Sequence, residues 1–151
     1  MHTRFIIALA VTAVTAATGG FLGSALRAQS TTTTAGSSVA SGVYTADQAK
    51  RGQTIYVDAC SKCHLEDLSG GPTSPPLAGD DFLAGWKGKT VGVLFDEVRT
   101  TMPFDSPGSL TPEQYADVIA YMLSANKYPA GDKELAHEVA PLQQIQIVAA
   151  P

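Results

Sequence analysis

Apolar residues recur at helical spacing in three places along the chain. Ala49, Gly52, Ile55 and Tyr56 share one face of a segment that opens with Thr45-Ala46-Asp47-Gln48 and runs toward Cys60. Thr45 and Gln48 form a capping box, each side chain placed to satisfy the other's free backbone N–H. A second helix is predicted from near Thr90, with Val91, Leu94, Phe95 and Val98 at the same period, until the chain turns at Thr101-Met102-Pro103. A third starts at Thr111-Pro112-Glu113-Gln114, where Thr111 is the N-cap, Pro112 occupies the first helical position and Gln114 closes another capping box. Tyr115, Val118, Ile119, Met122 and Leu123 make its apolar face. Between the first two helices, Gly70, Gly71, Pro72, Pro75 and Pro76 predict an irregular loop. No segment alternates strongly enough to predict a strand, so the fold class is all-α.

The N-terminal pattern is different. A short basic start, residues 1–4, precedes an apolar run over 5–17 and small residues up to Ala25-Leu26-Arg27-Ala28, which reads as a secretory signal peptide over 1–28. Nothing between Arg4 and Arg27 is charged, and about twenty such residues could also span a bilayer as an uncleaved anchor. The run is rich in Ala, Thr and Gly rather than Leu and Ile, which favours cleavage. Residues 29–43 form a Ser/Thr-rich tract without period or charge, expected to be a flexible linker or a plain spacer. What remains, 44–151, is the size of one small domain, with a C-terminal extension from about 127. The net charge is −4 and the N-terminal segment carries only arginines, so the domain is acidic and nucleic acid is excluded as a partner.

The candidate chemistry lies where the first helix ends. Cys60-Ser61-Lys62-Cys63-His64 has the form CxxCH, the attachment sequence for a covalently bound c-type haem. Each thiol can form a thioether with a haem vinyl group while the adjacent imidazole is carried toward the iron. A CxxC pair can also be a redox dithiol or half of a zinc site. A dithiol belongs near a βαβ pattern, and structural zinc needs four Cys or His ligands. Here Cys60 and Cys63 are the only cysteines, and the only other histidines are His2 and His137, both remote in sequence. Haem attachment is the reading that all three residues satisfy. It takes place outside the cytoplasm, in agreement with an export signal and a periplasmic location, and a porphyrin would give a small domain an internal apolar body.

CxxCH after an N-terminal helix, then a proline-rich loop, a Met-Pro pair and a final helix, resembles the class I cytochromes c over nearly all of 44–126. The resemblance implies the cytochrome c fold, three main helices around one covalently bound haem with irregular loops. It implies that Gly52 and Tyr56 sit where the first helix crosses the last, facing Val118-Ile119-Ala120-Tyr121-Met122-Leu123. It places Pro75 and Leu77 on the proximal side, where the proline carbonyl accepts a hydrogen bond from the ligating imidazole, here His64. Met102 is the implied distal ligand: a thioether is a soft donor, and paired with histidine it favours ferrous iron. A methionine can equally fill space, as Met122 does on the apolar face of the last helix. His137 is a remote second candidate for the distal position. Trp86 fits either a hydrogen bond to a haem propionate or a place in the core. Lys62 and the acidic Glu66, Asp67, Asp80, Asp81, Asp96 and Glu97 read as solvated surface, without a pair suited to acid–base catalysis.

A narrower resemblance lies in Ser74-Pro75-Pro76-Leu77-Ala78-Gly79, Phe82-Leu83-Ala84-Gly85-Trp86, Thr101-Met102-Pro103, Pro107-Gly108-Ser109-Leu110-Thr111 and Pro129-Ala130-Gly131-Asp132-Lys133-Glu134-Leu135. These are similar to the cytochrome subunits and domains that accompany bacterial pyrroloquinoline-quinone (PQQ, quinoprotein) dehydrogenases. The resemblance implies an electron-transfer protein and not an enzyme. Its redox partners would be a separate PQQ-dependent dehydrogenase as donor and a terminal oxidase or another cytochrome as acceptor, with membrane attachment only if the N-terminal segment stays uncleaved. The chain departs from mitochondrial relatives in lacking a lysine excess. Two other readings stay open: a haem enzyme or gas sensor with an open distal site, and a structural electron-transfer subunit of a dehydrogenase complex.

Overall fold

The computed structural model describes residues 37–150, and the expected signal peptide and most of the expected linker lie outside them. Six helices follow in order: α1 (Ala46–Ala59), α2 (Ser61–His64), α3 (Asp80–Trp86), α4 (Val91–Thr101), α5 (Pro112–Ala125) and α6 (Val139–Leu142), preceded by a single 3₁₀ turn, Val39–Ser41. The fold is all-α, with α1, α4 and α5 as the three main helices. Among the described residues the only β pairing is in isolated bridges. No helix among them is long and apolar enough to cross a membrane.

The caps set where the main helices start. Thr111 accepts from the Gln114 N–H at 3.3 Å while the Gln114 side chain accepts from the Thr111 N–H at 2.9 Å, the full reciprocal box, with Pro112 behind it. Thr90 caps α4 by accepting from Val93 N. At α1 only half of the expected box forms. Thr45 Oγ1 accepts from Gln48 N at 3.1 Å, but the Gln48 amide turns away and pairs twice with the Leu135 backbone, accepting from its N–H at 2.6 Å and donating to its carbonyl at 3.0 Å. Leu135 and Gln48 are both buried, so the peptide group of Leu135 has no water to bond. Leaving it unpaired would cost more than leaving a wetted helix end uncapped. Helix α3 was not predicted. It is too short to show a period, and it starts after Gly79 at φ 83° with Asp80 and Asp81 complementing its N-terminal dipole.

Helices α1 and α5 cross at Gly52. A Cβ there would stand 1.8 Å from the Asp117 carbonyl oxygen and 2.4 Å from its carbon, so only glycine allows the two backbones to meet. Tyr56 and Tyr121 pack one turn further along, ring centroids 5.3 Å apart. Arg51 clamps the same crossing by bonding both Asp117 carboxylate oxygens at 3.0 Å and Glu134 at 2.9 Å. These bonds push the guanidinium pKa further above its already high value.

The last stretch of the expected linker is not free chain: Val39 is fully buried, and its N–H donates to Gln146 O at 3.0 Å. The C-terminal extension supplies that partner. Its residues 145–147 lie between two segments, bonding 37–39 on one side and Gly88, Lys89 and Val91 on the other. Leu135, Leu142 and Ile147 are buried, and Tyr44 Oη donates to the Tyr128 carbonyl at 2.6 Å. Composition hid this because neither stretch shows a helical period, yet the two pair with each other and α6 packs against α4. His137 sits on this extension against Glu113 and Glu138, at 3.5 and 3.1 Å, at the start of α5.

Candidate haem site

The α1–α2 junction presents the CxxCH side chains. Cys60 is the last cap of α1, its N–H donating to Tyr56 O, and its own carbonyl accepts from Cys63 N and His64 N at 3.1 and 3.0 Å. That one turn lines up both thiols and the imidazole. Neither cysteine is in a disulfide; Cys60 is half-buried against the core and Cys63 is exposed. Burial, and to a lesser degree Cys63, pushes the Cys60 thiol up to about 11, so it is held as a neutral thiol. The turn ends abruptly at Leu65, at φ 62°. A leucine in that region is strained by roughly 1–3 kcal/mol, offset here by Tyr56 Oη, which donates to the Leu65 carbonyl at 2.7 Å.

His64 is buried, at 7% exposure, and its Nδ1 stands 2.8 Å from the Pro75 carbonyl oxygen. A carbonyl can only accept, so Nδ1 carries the proton and Nε2 keeps its lone pair for a metal. The loop that brings Pro75 there is closed at several points. Gly70 N donates to His64 O at 3.1 Å, and Leu77 N to Leu68 O at 2.9 Å. Gly70, at φ 79°, has loop backbone within 2.8 Å of where a Cβ would be, which no other residue tolerates. Asn126, the C-cap of α5, then ties the loop to the helix. It accepts from Gly79 N at 3.0 Å and donates to Leu77 O at 3.0 Å and Met122 O at 2.8 Å.

Met102 caps the end of α4, half-buried, with its N–H on Val98 O. Its carbonyl accepts from Tyr115 Oη at 2.7 Å and Gly108 N at 3.3 Å. Phe104, two residues on, is 85% exposed. Trp86 ends α3, stacked on Phe82 with centroids 6.3 Å apart, and Lys89 Nζ lies 4.5 Å over its ring. Met122 is a core residue, and His137 is engaged with carboxylates rather than with the Met102 segment.

The sequence reading missed Tyr115 and Asn126. Tyr115 reads as one more apolar residue of the last helix, and its partner lies thirteen positions back, beyond any local pattern. Asn126 gives a weak signal, a polar residue ending an apolar helix, but not which loop it would hold. Tyr115 stands near the start of α5 and Asn126 caps its end, with about 16 Å of helix axis between them.

The donor set fits a haem c. Two unpaired thiols at CxxC spacing offer thioether attachment, and the imidazole beside them has one nitrogen committed to a carbonyl and the other left to bind iron. Among the described residues no cluster of three His, Cys, Asp or Glu offers an alternative metal site.

A search of curated proteins finds no match. Among solved structures the chain is similar to one in the sulfane dehydrogenase SoxCD from Paracoccus pantotrophus, with 24% identity and a TM-score of 0.49. The match covers 72% of this chain and 62% of that one, so this chain spans under two thirds of that chain's length. Residues 47–122, just over half of the chain, match the family described as cytochrome c oxidase, cbb3-type, subunit III. That stretch contains CxxCH, the proline loop, Met102 and most of α5. The cofactor is haem c with its iron, and the chain belongs to this family of c-type cytochromes.

Proposed function

We propose that this chain is a single-haem electron carrier of the periplasm, in which Cys60 and Cys63 hold the haem, His64 is the proximal ligand and Met102 the distal one. When bound, haem c supplies an iron that gains and loses one electron. The observation that carries the reading is the buried His64 ring with Nδ1 on Pro75 O at 2.8 Å, next to two unpaired thiols. Pro75 orients the ring and strengthens Nε2 as a donor. Tyr115 and Gly108 hold the Met102 backbone so that its thioether is presented from a defined point. With both ligand positions supplied by the chain, no place is left for a substrate and the protein performs no substrate chemistry.

Residues 1–28 act as the export signal. The donor is a dehydrogenase of quinoprotein type and the acceptor a terminal oxidase or another cytochrome. The net charge of −4 and the exposed Phe104 favour a partner that docks through apolar contact or carries a local basic patch.

The first test is spectroscopic. Ferric protein should show a sulfur-to-iron charge-transfer band at the red end of the visible spectrum, and ferrous protein should not bind carbon monoxide readily. Immediate carbon monoxide uptake by the wild type would replace the carrier by a haem enzyme or gas sensor. The second is stopped-flow reduction by quinoprotein dehydrogenases across a salt series. A rate that falls as ionic strength passes roughly 0.1 M, where the Debye length is about 10 Å, indicates a basic partner; a salt-independent rate indicates apolar docking or a permanent subunit. No reduction by any quinoprotein, with reduction by an unrelated periplasmic donor, removes the quinoprotein assignment and leaves the carrier.

A further inference from the structure

The Asn126 side chain is 4% exposed, and its hydrogen bonds bracket the backbone at Leu77 and Gly79. Its orientation is fixed by chemistry, since Gly79 N–H can only donate and the Leu77 and Met122 carbonyls can only accept. The amide is therefore a two-pronged clamp between the end of α5 and the loop. Two residues upstream of Leu77, the Pro75 carbonyl meets His64 Nδ1 at 2.8 Å. The connection between them is stiff. Pro75 and Pro76 each have φ locked near −65°, and a residue preceding proline is itself restricted, so Ser74 and Pro75 have little freedom. Leu77 N is fixed as well, on Leu68 O. A displacement at Leu77 therefore has few free torsions in which to dissipate before it reaches the Pro75 carbonyl.

We propose that Asn126 is a positioning residue for His64: through the Pro75-Pro76-Leu77 strut it sets the His64–Pro75 hydrogen bond, and with it the donor strength of the imidazole toward iron. The proposal rests on His64 being the proximal ligand. A strong Nδ1–H···O bond makes the imidazole a better electron donor, which favours ferric iron and lowers the reduction potential. Loosening the strut lengthens that bond and raises the potential. The clamp also explains why an amide is kept at a buried position where an apolar residue would need no partners.

The test uses the haem-loaded protein and three variants. Asn126→Ala cuts the clamp, Pro76→Ala softens the strut while keeping the clamp, and Leu142→Ala opens a cavity in α6 away from both. The readouts are the reduction potential and the exchange rate of the His64 Nδ1 proton by NMR. Asn126→Ala should raise the potential and speed proton exchange, Pro76→Ala should do the same to a smaller degree, and Leu142→Ala should lower the melting temperature without moving either. The proposal is overturned if Asn126→Ala matches Leu142→Ala in both readouts, or if Asn126→Ala shifts them and Pro76→Ala does not. Should Asn126→Ala yield no holoprotein, Pro76→Ala decides alone: a raised potential supports the strut and an unchanged one refutes it. A separate outcome concerns the underlying reading. If the His64 ring protons of reduced wild type lack the large ring-current shifts of an iron ligand, the ligand assignment falls and the proposal falls with it.

Discussion

The segment that carries His64 and the segment that carries Met102 are held by very different amounts of structure. His64 is buried, its ring is tied to Pro75, its carbonyl to Gly70, and its loop is closed by Leu68 with Leu77 and clamped by Asn126. Met102 is half-buried; its segment is held by its own N–H on Val98 O, its carbonyl on Tyr115 and Gly108, and a Ser106 N–H on Pro103 O, and between them Phe104 stands in solvent. Local stability follows the density of such contacts. The His64 side should therefore open only with the whole domain, while the Met102 side can open by itself. Helix α5 serves both, holding Met102 through Tyr115 near its start and the proline loop through Asn126 at its end.

The change with the largest expected effect removes the base that the two sides share. Gly52→Val puts a branched side chain where even a Cβ would meet the Asp117 carbonyl at 1.8 Å, with backbone on both sides and nothing flexible to give way. Overpacking typically costs about 1–3 kcal/mol, and this site should lie at or beyond the upper end. The melting temperature of the holoprotein should fall steeply and the His64 and Met102 segments should be lost together. An unchanged melting curve would remove α5 as the common support.

Next comes the Met102 side alone. Met102→Ala gives up the thioether and about 1 kcal/mol of half-buried packing. The red charge-transfer band should vanish and carbon monoxide should bind readily, with a melting temperature above that of Gly52→Val. If the variant instead unfolds as severely, the Met102 segment is part of the fold and the two sides are not separable.

How much of this could be read beforehand depends on how local each interaction is. The Thr111 box, the start of α4 near Thr90 and the CxxCH motif were legible because each is written in a few consecutive residues, and the Gly52 crossing was legible through the family resemblance. The Gln48 side chain went astray because its partner, Leu135, lies 87 positions away and buried polar pairing outranked the local cap. The burial of Val39 and Ile147 was hidden for the same reason: their stretches show no helical period, and only the tertiary fold brings 37–39 and 145–147 together. Pro75 was legible through a family resemblance, whereas Tyr115 and Asn126, which hold the Met102 segment and the proline loop, have no motif and emerge only from the hydrogen bonds.

A matched pair of hydroxyl deletions sharpens the contrast. Tyr56→Phe removes the bond to Leu65 O on the His64 side, and Tyr115→Phe removes the bond to Met102 O. Each should cost a net of about 0.5–1.5 kcal/mol. Heated slowly, Tyr115→Phe should lose the charge-transfer band well before its helices melt, while Tyr56→Phe should lose both at one lowered temperature. Equal behaviour in the two variants would mean that the segments are equally coupled to the core.

The smallest effect is one of pH. In the His64 loop the Asp67 carboxylate accepts from the Ser69 hydroxyl at 2.6 Å and the Ser69 N–H at 3.0 Å, and these bonds, the hydroxyl first, hold it below its ordinary value of 3.8. A carboxyl depressed in the folded state adds stability that is fully present above its unfolded pKa and is lost as pH falls through the folded one. The contribution is thus intact at neutral pH and should begin to fade only below about pH 4. Asp67 is fully exposed, so the loss is confined to the turn it closes. Hydrogen-exchange protection at the Ser69 amide should decline below about pH 4 in the wild type and stay level in Asp67→Asn, whose protection is lower throughout. Protection at Gly108, whose N–H serves Met102, should be the same in both proteins. If Asp67→Asn alters Gly108 as much as Ser69, the His64 and Met102 segments share one opening motion, and the contrast drawn from their hydrogen bonds is wrong.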